Sequence, residues 1–326
     1  MASSAPLAIP GLTSPWALRR VIVILVAMSG LLLGLATPAR PVAFAWPFVF
    51  APMFVALDLS LRGASGWGRW WRVLGCTVPV GILMGAVSGD WVQQTAHVFG
   101  GMPTPVAYAA AWFGYGGLMG IEVFLFLGVP FALGHGHPRW QLALVLLWPI
   151  ALQAVIPRFL FWTYGQLMYH VPALVQAADV VGSTGLSLWI LLLHWLLYAL
   201  IRNQYDKGWL PRRDFIALAA AVAVLFAGSF AYGTWRMGNV SAASANGTRV
   251  QLVGIQPNFS LMGLASNPPR TPTARQQSLQ GLVSDSNKAL LNGGIVRGIP
   301  AVVLWPESVY PVPYFEYREA KEAVEQ

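Results

Sequence analysis

A short apolar run near the end of the sequence is followed directly by a tryptophan, a proline, a glutamate and a serine. The run is 301–304, and the four residues after it are 305–308. A short apolar run bounded by turn residues predicts a buried β-strand. Functional groups collect beyond the carboxyl ends of parallel strands, where a partly desolvated carboxylate can act as a general base. Glu307 is therefore the candidate catalytic residue, and the alternative is an ordinary solvated loop acid.

Other residues whose side chains could take part in catalysis or metal binding lie in or beside apolar segments. Cys76 is the single cysteine, which excludes a disulfide and a cysteine-based metal site, so we interpret it as a small core residue. His135 and His137 lack the further ligands that a metal ion needs. Glu122 interrupts an apolar run, and either faces the bundle interior with a role or lies near an interface or a neighbouring helix. We expect no metal and no cofactor.

The elements that would position Glu307 form a strand–helix–strand pattern. Val250 to Ile255 is a short apolar run that predicts the first strand. A helix is predicted over 272–292, because Thr271 can cap it, Pro272 suits its first turn and Gly293 can end it. This order predicts a right-handed crossover in a parallel sheet. Glu316 to Gln326 resembles the start of a further helix. Two strands and two helices are too small to close a core, so we expect 249–326 to open a larger α/β domain.

The rest of the chain is too apolar for a water-facing surface. Of 326 residues, 56% are hydrophobic and only 10% are charged, against about 25% charged in a typical soluble domain. A membrane span needs about 20 apolar residues. The sequence predicts about seven spans, the first of them uncleaved, at 21–39, 41–58, 73–93, 104–133, 141–160, 182–201 and 214–232.

The net charge of +8 indicates membrane orientation and not nucleic-acid binding, because the basic residues lie in short loops between apolar runs. One set of alternate loops holds ten of them, and the other set holds Arg40 and Arg158. The ten are Arg19, Arg20, Arg62, Arg69, Arg72, Arg139, Arg202, Lys207, Arg212 and Arg213. The positive-inside rule then places the N-terminus in the cytoplasm and everything after Tyr232 outside it, which is the periplasm in a Gram-negative cell.

The predicted organisation is a helical membrane bundle over 1–232, a linker over 233–248 and an incomplete periplasmic domain over 249–326. The linker is predicted from its content of Gly, Ser, Ala and Asn. No nucleic-acid partner is expected, and the bilayer itself is the first partner of the bundle.

Three stretches of the sequence resemble a known family. AVVLWPESVYP at 301–311 is similar to the glutamate motif of the nitrilase, or carbon–nitrogen hydrolase, superfamily. Its Trp-Pro-Glu form after an apolar strand resembles the bacterial apolipoprotein N-acyltransferases. VQLVGIQPNF at 250–259 resembles the first strand of their nitrilase domain, and 172–197 resembles the stretch before and within their sixth span.

The resemblance implies a bundle in the bacterial inner membrane that carries a periplasmic nitrilase-like domain, layered αββα, before an eighth span. It implies acyl transfer by a Glu, Lys and Cys set. The cysteine takes a fatty acyl group from a phospholipid as a thioester. The N-terminal amine of a diacylglyceryl-cysteine apolipoprotein then accepts that group. In this scheme Glu307 corresponds to the proton acceptor.

The sequence departs from that pattern beyond Glu307. No cysteine follows Glu307, and Lys321 is too close to it in sequence to be an assured match. We therefore expect the chain to be the N-terminal portion of such an enzyme, as a fragment, a frameshifted product or half of a split protein. The alternatives are another membrane-tethered nitrilase-type amidase or acyltransferase, and a non-catalytic scaffold or transporter-like bundle with a periplasmic stub.

Overall fold

The computed structural model describes residues 14–37, 42, 44–156, 163–256, 272–293 and 298–305. In these ranges the chain is mainly helical, with one parallel sheet of two strands. It divides into two compact units, Met1–Asn239 and Val240–Gln326. Each unit has its own local packing and is described separately.

Five helices of the described chain are long and apolar enough to cross a membrane, judged by length and composition. Their mean hydropathy reaches 1.4 to 2.2 over a stretch of span length. They are α1 (Pro15–Ala36), α3 (Gly66–Ser88), the continuous stretch Thr104–Leu133, α10 (Ala178–Tyr205) and α11 (Arg212–Ala245). The chain is therefore a multi-pass membrane protein, as the sequence predicts.

The two remaining predicted spans, 41–58 and 141–160, are occupied by shorter helices. A 3₁₀ turn at Trp46–Phe48 leads into α2 (Ala51–Leu61), and α8 covers Pro138–Val155. The 11 residues of α2 are about 16 Å long at 1.5 Å per residue, which is about half the hydrocarbon thickness. The count of seven spans therefore remains a prediction.

The stretch Thr104–Leu133 is confirmed as one long helical segment, but its winding changes along its length. It consists of α5 (Thr104–Ala109), α6 (Gly116–Val123) and α7 (Val129–Leu133), joined by π-helical turns at Ala110–Tyr115 and Phe124–Gly128. Short helices α4 (Asp90–Gln94) and α9 (Pro172–Val175), a π turn at Thr95–Phe99 and a 3₁₀ turn at Tyr164–Met168 complete the first unit.

Aromatic side chains fill the centre of the bundle. Phe54 of α2 stacks on Phe131 of α7 with ring centroids 5.2 Å apart, and Tyr198 of α10 meets both rings edge-on. Buried backbone and polar groups are paired across helices. The Met53 amide donates to Ser29 Oγ of α1 at 2.8 Å, and Nε2 of the buried His194 lies 2.9 Å from the Trp46 carbonyl oxygen. These contacts hold α2 between α1 and α10.

Two glycine pairs let α3 and α6 approach each other closely. Gly81 and Gly85 of α3 lie against the backbone of Gly116 and Gly120 of α6. Both pairs have the spacing of a small residue at every fourth position, which in membranes allows helix backbones to touch. The contact is therefore made by backbone atoms.

Helix α11 continues as far as Ala245, through most of the stretch 233–248 that the sequence predicts to be a linker. Its Gly233 lies against the backbone of Ala173 in α9.

Helix α10 is interrupted near its start. Beyond its first turn, Gly182 has φ +68°, a left-handed conformation that a residue with a Cβ rarely adopts.

The second unit confirms the predicted strand–helix–strand order. Strand β1 covers Gln251–Gly254, α12 covers Pro272–Asn292 and β2 covers Ala301–Leu304. The strands pair in parallel with Gln251 opposite Ala301 and Gly254 opposite Leu304. The helix bounds and the β2 bounds are those that the sequence predicts.

Candidate functional site

The parallel pair brings the carboxyl ends of both strands to the same edge of the sheet. The Gln251 amide donates to the Pro300 carbonyl at 2.8 Å, and the Ile255 amide donates to the Leu304 carbonyl at 3.0 Å. The ladder thus extends one residue beyond the strands at each end. Since functional groups collect at this edge in α/β sheets, Trp305 stands at the position where a site is expected.

Trp305 is fixed by a short chain of hydrogen bonds to α12. Its indole Nε1–H donates to Ser286 Oγ at 2.9 Å, and that hydroxyl donates to the Leu282 carbonyl at 2.7 Å. Ser286 and Leu282 are buried. The first residue after β2 therefore has a defined position, held by α12 through the Ser286 hydroxyl.

Glu307, the predicted catalytic residue, lies two positions beyond Trp305 and outside the described residues. Lys321 also lies outside them. The role of Glu307 stays a prediction. Ser286 is not among the residues that the sequence predicts for the site, although a serine hydroxyl can accept from an indole N–H.

One face of the strand pair is open in the described structure. Leu252, Val302 and Leu304 share this face and have exposed fractions of 69%, 43% and 50%. Val253 and Val303 lie on the other face and are less exposed. A strand pair with one helix is marginal on its own, which agrees with the expectation that this segment opens a larger α/β domain.

A second concentration of polar groups lies in the first unit, around a fully buried aspartate. Asp58, near the C-terminal end of α2, has no solvent exposure. It forms ion pairs with Arg202 and, at 3.2 Å, with Arg62. Its carboxylate also accepts hydrogen bonds from Tyr198 and Tyr205 at 3.3 and 3.1 Å. We call this group, with His135, the Asp58 cluster.

His135 contributes a neutral imidazole to the Asp58 cluster. Burial, with further contributions from Arg69 and Arg62, lowers the pKa of His135 to about 4. Its Nε2 lies 3.2 Å from Asp58 Oδ1. Because an ionised carboxylate can only accept, the Nε2–H of the neutral ring is the donor.

The two arginines of the Asp58 cluster have further partners of their own. Arg202 donates to Asp206 at 3.0 Å and lies over the Trp209 ring at 4.7 Å, and Arg62 lies over the Tyr205 ring at 4.9 Å. The cluster connects the end of α2, the loop before α8 and the end of α10. A carboxylate that is fully buried and surrounded by donors stabilises these contacts and has no access to a substrate.

The Asp58 cluster also shows that the predicted basic loops meet at one end of the bundle. Arg69 donates to the Ala132 carbonyl at the end of α7, and Arg139 pairs with Asp214 of α11 at 2.9 Å. At the other end of α10, Asp179 accepts from Tyr232 at 2.8 Å and from Arg236 at 3.0 Å. Arg62, Arg69, Arg139 and Arg202 of the predicted basic loops thus lie at the same end of the first unit, and the predicted difference between the two sets of loops stays a prediction.

The remaining candidates are placed as follows. Cys76 is buried in α3, in agreement with a core residue. Glu122 lies half-buried on α6, close to Tyr115. His137 directly precedes the first residue of α8. Within the described ranges, no group of three or more His, Cys, Asp or Glu side chains could hold a metal ion.

Comparison with known proteins gives one informative similarity. The chain is similar to a protein named apolipoprotein N-acyltransferase from Bdellovibrio bacteriovorus, with 27% identity over 217 residues. The aligned part covers 60% of this chain and 36% of that protein, so the chain spans about a third of the length of the curated relative that it matches. No family model matches the chain.

Proposed function

We propose that this chain is the N-terminal portion of an apolipoprotein N-acyltransferase-type enzyme of the bacterial inner membrane. It would transfer a fatty acyl group from a phospholipid to the N-terminal amine of a diacylglyceryl-cysteine apolipoprotein. The observation that carries the proposal is the similarity to the Bdellovibrio protein, together with a β–α–β unit that leads into Trp305 and the predicted Glu307.

The architecture suits a reaction between two lipid substrates. Both the acyl donor and the acceptor are held in a bilayer, so the catalytic domain has to be carried by a membrane bundle. The five long apolar helices provide such a carrier. With an N-terminus in the cytoplasm and seven crossings, the second unit would lie on the periplasmic side, where lipoprotein N-termini are modified in the related family.

The chemistry assigned to this chain is limited to a proton transfer. Glu307 would accept the proton of the cysteine thiol as the sulfur attacks the phospholipid ester. It would return that proton to the departing glycerol oxygen, which releases a lysophospholipid and leaves a thioacyl enzyme. Trp305, held by Ser286, would fix the backbone from which Glu307 extends. A correctly placed general base contributes about 10²- to 10⁴-fold to such a step.

The test is complementation by the complete reading frame of the gene, read beyond codon 326. We expect that frame, or a partner gene, to encode a downstream Lys, a Cys and another apolar span. Expressed in a strain depleted of its own apolipoprotein N-acyltransferase, it should restore growth and an N-acylated lipoprotein N-terminus, seen by mass spectrometry. The Glu307→Gln variant should restore neither, whereas the control variant Glu316→Gln, outside the motif, should restore both as the unchanged frame does.

Three results would redirect the proposal. A frame that ends without a cysteine and has no partner gene removes the catalytic function from this chain and leaves a membrane scaffold. Activity that survives Glu307→Gln removes the assigned base. Hydrolysis of an amide or acylation of another amine, without modified lipoprotein, indicates a different membrane-tethered nitrilase-type enzyme.

A further inference from the structure

A cleft of about 530 Å³ opens at the end of the first unit where the basic loops meet. It lies between the first turns of α1, the end of α2 and the first half of α3. Three arginines, Arg19, Arg62 and Arg72, contribute to its wall. The apolar part of the wall is formed by Leu18, Ile22 and Leu59. We call it the arginine cleft.

The charges in the arginine cleft are not equally available. Arg62 is already paired with Asp58 at 3.2 Å. Arg72 Nη1 donates to the carbonyl oxygens of Ser60 and Arg62 at 2.8 and 3.3 Å, contacts that orient its guanidinium without neutralising it. Arg19 is exposed on the first turns of α1. Within the described residues no carboxylate pairs with Arg19 or Arg72, so the cleft presents two positive charges to a ligand.

The position of the arginine cleft is that of a membrane interface. Trp16, Trp67 and Trp71 lie at the N-terminal ends of α1 and α3, beside the arginines, and are 69%, 82% and 70% exposed. Exposed tryptophans at the ends of spanning helices favour the level of the lipid headgroups. The apolar wall at Ile22 and Leu59 continues from the arginines toward the centre of the spans.

We propose that the arginine cleft binds an anionic phospholipid. Arg19 and Arg72 would contact the headgroup phosphate, since guanidinium groups match phosphate oxygens in a two-pronged geometry. The glycerol and the start of one acyl chain would lie along Leu18, Ile22 and Leu59. Basic pockets between spanning helices are a known physical basis for anionic lipid recognition.

This lipid site is separate from the proposed acyl transfer. It is built entirely from residues of the first unit, whereas the predicted base belongs to the second. By the positive-inside rule the cleft would face the cytoplasmic leaflet, and the lipoprotein acceptor would be on the periplasmic side. The lipid would therefore be a bound structural lipid and not the acyl donor.

The experiment is a lipid titration of the purified, delipidated full chain, followed by native mass spectrometry. The probes are dioleoyl phosphatidylglycerol and, as the zwitterionic control, dioleoyl phosphatidylcholine. One basic residue near a membrane is worth a factor of about five in binding. Arg19→Gln and Arg72→Gln should each weaken phosphatidylglycerol binding about fivefold, and the double variant about 25-fold. Arg213→Gln, an equal charge change outside the cleft, should leave the affinity unchanged.

A second variant tests the volume of the cleft without changing its charge. Gly75 lines the arginine cleft, and a Cβ added there meets nothing within 4 Å. Gly75→Phe should therefore fold, fill the cleft and reduce phosphatidylglycerol binding, while Gly117→Ala, on another helix face with the same open space, should not.

Four results would overturn the assignment. Equal binding of the two lipids would remove the preference for an anionic headgroup. An equal loss in Arg213→Gln and Arg72→Gln would show general surface attraction in place of a site. An unchanged affinity in Gly75→Phe would show that the lipid does not enter the cleft. Displacement of the lipid by glycerol 3-phosphate at the same concentration would make it a site for soluble phosphates.

Discussion

The glycine contact between α3 and α6 gives a prediction whose sign differs between neighbouring positions. A Cβ added at Gly81 would lie 2.0 Å from the Gly120 amide nitrogen and 2.4 Å from the Gly116 carbonyl oxygen. A Cβ added at Gly120 would lie 2.4 Å from the Val78 carbonyl oxygen. These neighbours are backbone atoms, which cannot move aside as a flexible side chain would. Gly81→Ala therefore forces the two helices apart.

The size of the effect follows from two opposing terms. Ordinary contact begins at about 3.5 Å, so the helices must separate by roughly 1.5 Å along this contact. Overpacking of this kind costs up to about 3 kcal/mol. Alanine gains about 1 kcal/mol over glycine inside a helix. The expected net loss in the free energy of unfolding for Gly81→Ala is about 2 kcal/mol.

Gly117 is the matched control, because it lies on α6 between Gly116 and Gly120 but has nothing within 4 Å of an added Cβ. Gly117→Ala should gain up to about 1 kcal/mol from helix propensity alone. The assay is thermal unfolding in detergent, followed by circular dichroism. At about 2–4 °C per kcal/mol for a domain of this size, Gly81→Ala should lower the Tm by about 4–8 °C, and Gly117→Ala should raise it slightly. Equal Tm values for the two variants would refute the packing argument.

Four further predictions concern the polar contacts and the topology. Asp58→Asn should lower the free energy of unfolding by about 3–5 kcal/mol, because it removes the buried carboxylate that Arg202 and Arg62 share, whereas Asp214→Asn at an exposed pair should cost less than about 1 kcal/mol in the same detergent assay. The pKa of His135 is about 4 in the folded chain and 6.5 in the unfolded chain, so the neutral imidazole contributes fully to stability above pH 6.5, and this contribution is lost as the pH falls toward 4. A series of Tm values between pH 6.5 and pH 4 should therefore fall with pH, and His135→Asn should remove that dependence. Trp305→Phe should cost about 1 kcal/mol through the lost hydrogen bond to Ser286, and in the complete enzyme it should lower kcat more than KM; an unchanged kcat would show that the bond does not position Glu307. A reporter fused after Gly247, just beyond the end of α11, should be active only outside the cytoplasm, and cytoplasmic activity would contradict the orientation.

The β–α–β unit was predictable because local signals mark its limits. Pro272 can begin a helix and Gly293 can end one, and the observed helix runs from Pro272 to Asn292. The four apolar residues 301–304 form β2 as predicted. A single apolar run between turn residues is enough to locate the strand, so sequence and structure agree on its bounds. They differ on its burial, because Val302 and Leu304 are exposed in the described structure.

The boundaries within the bundle were less predictable, since hydropathy measures composition and not winding. The predicted span 41–58 contains Pro47 and Pro52, and the structure has a 3₁₀ turn followed by a short α2 in its place. The two π turns within Thr104–Leu133 leave no signature in the hydropathy of that stretch. The stretch 233–248 is helical to Ala245, and near its start Gly233 lies against Ala173 and Arg236 pairs with Asp179. The exposed remainder, 238–245, continues α11, and helix formers such as Met237 and Ala242 favour this continuation.

The Asp58 cluster could not be predicted, although part of it is local. Arg62 follows Asp58 at the spacing of one helical turn, which the sequence alone shows. The partners His135 and Arg202 are separated from Asp58 by 77 and 144 positions and meet it only in the folded bundle. The sequence signal that was available is the charge itself, since an aspartate at the end of an apolar run needs a buried partner.

The basic residues at this end of the bundle act at two different stages, which explains why some are paired and others are not. Basic residues in short loops count toward orientation during insertion, and acidic residues count little. After folding, Arg62 is paired with Asp58, and Arg202 is paired with Asp58 and Asp206. Within the described part of the chain, Arg72 donates to carbonyl groups and pairs with no carboxylate, so its charge is not compensated there. The basic residues of this end are thus divided between the Asp58 cluster, which stabilises the fold, and the arginine cleft, which would bind lipid. A substitution of Arg62 should therefore lower stability, and a substitution of Arg72 should weaken lipid binding.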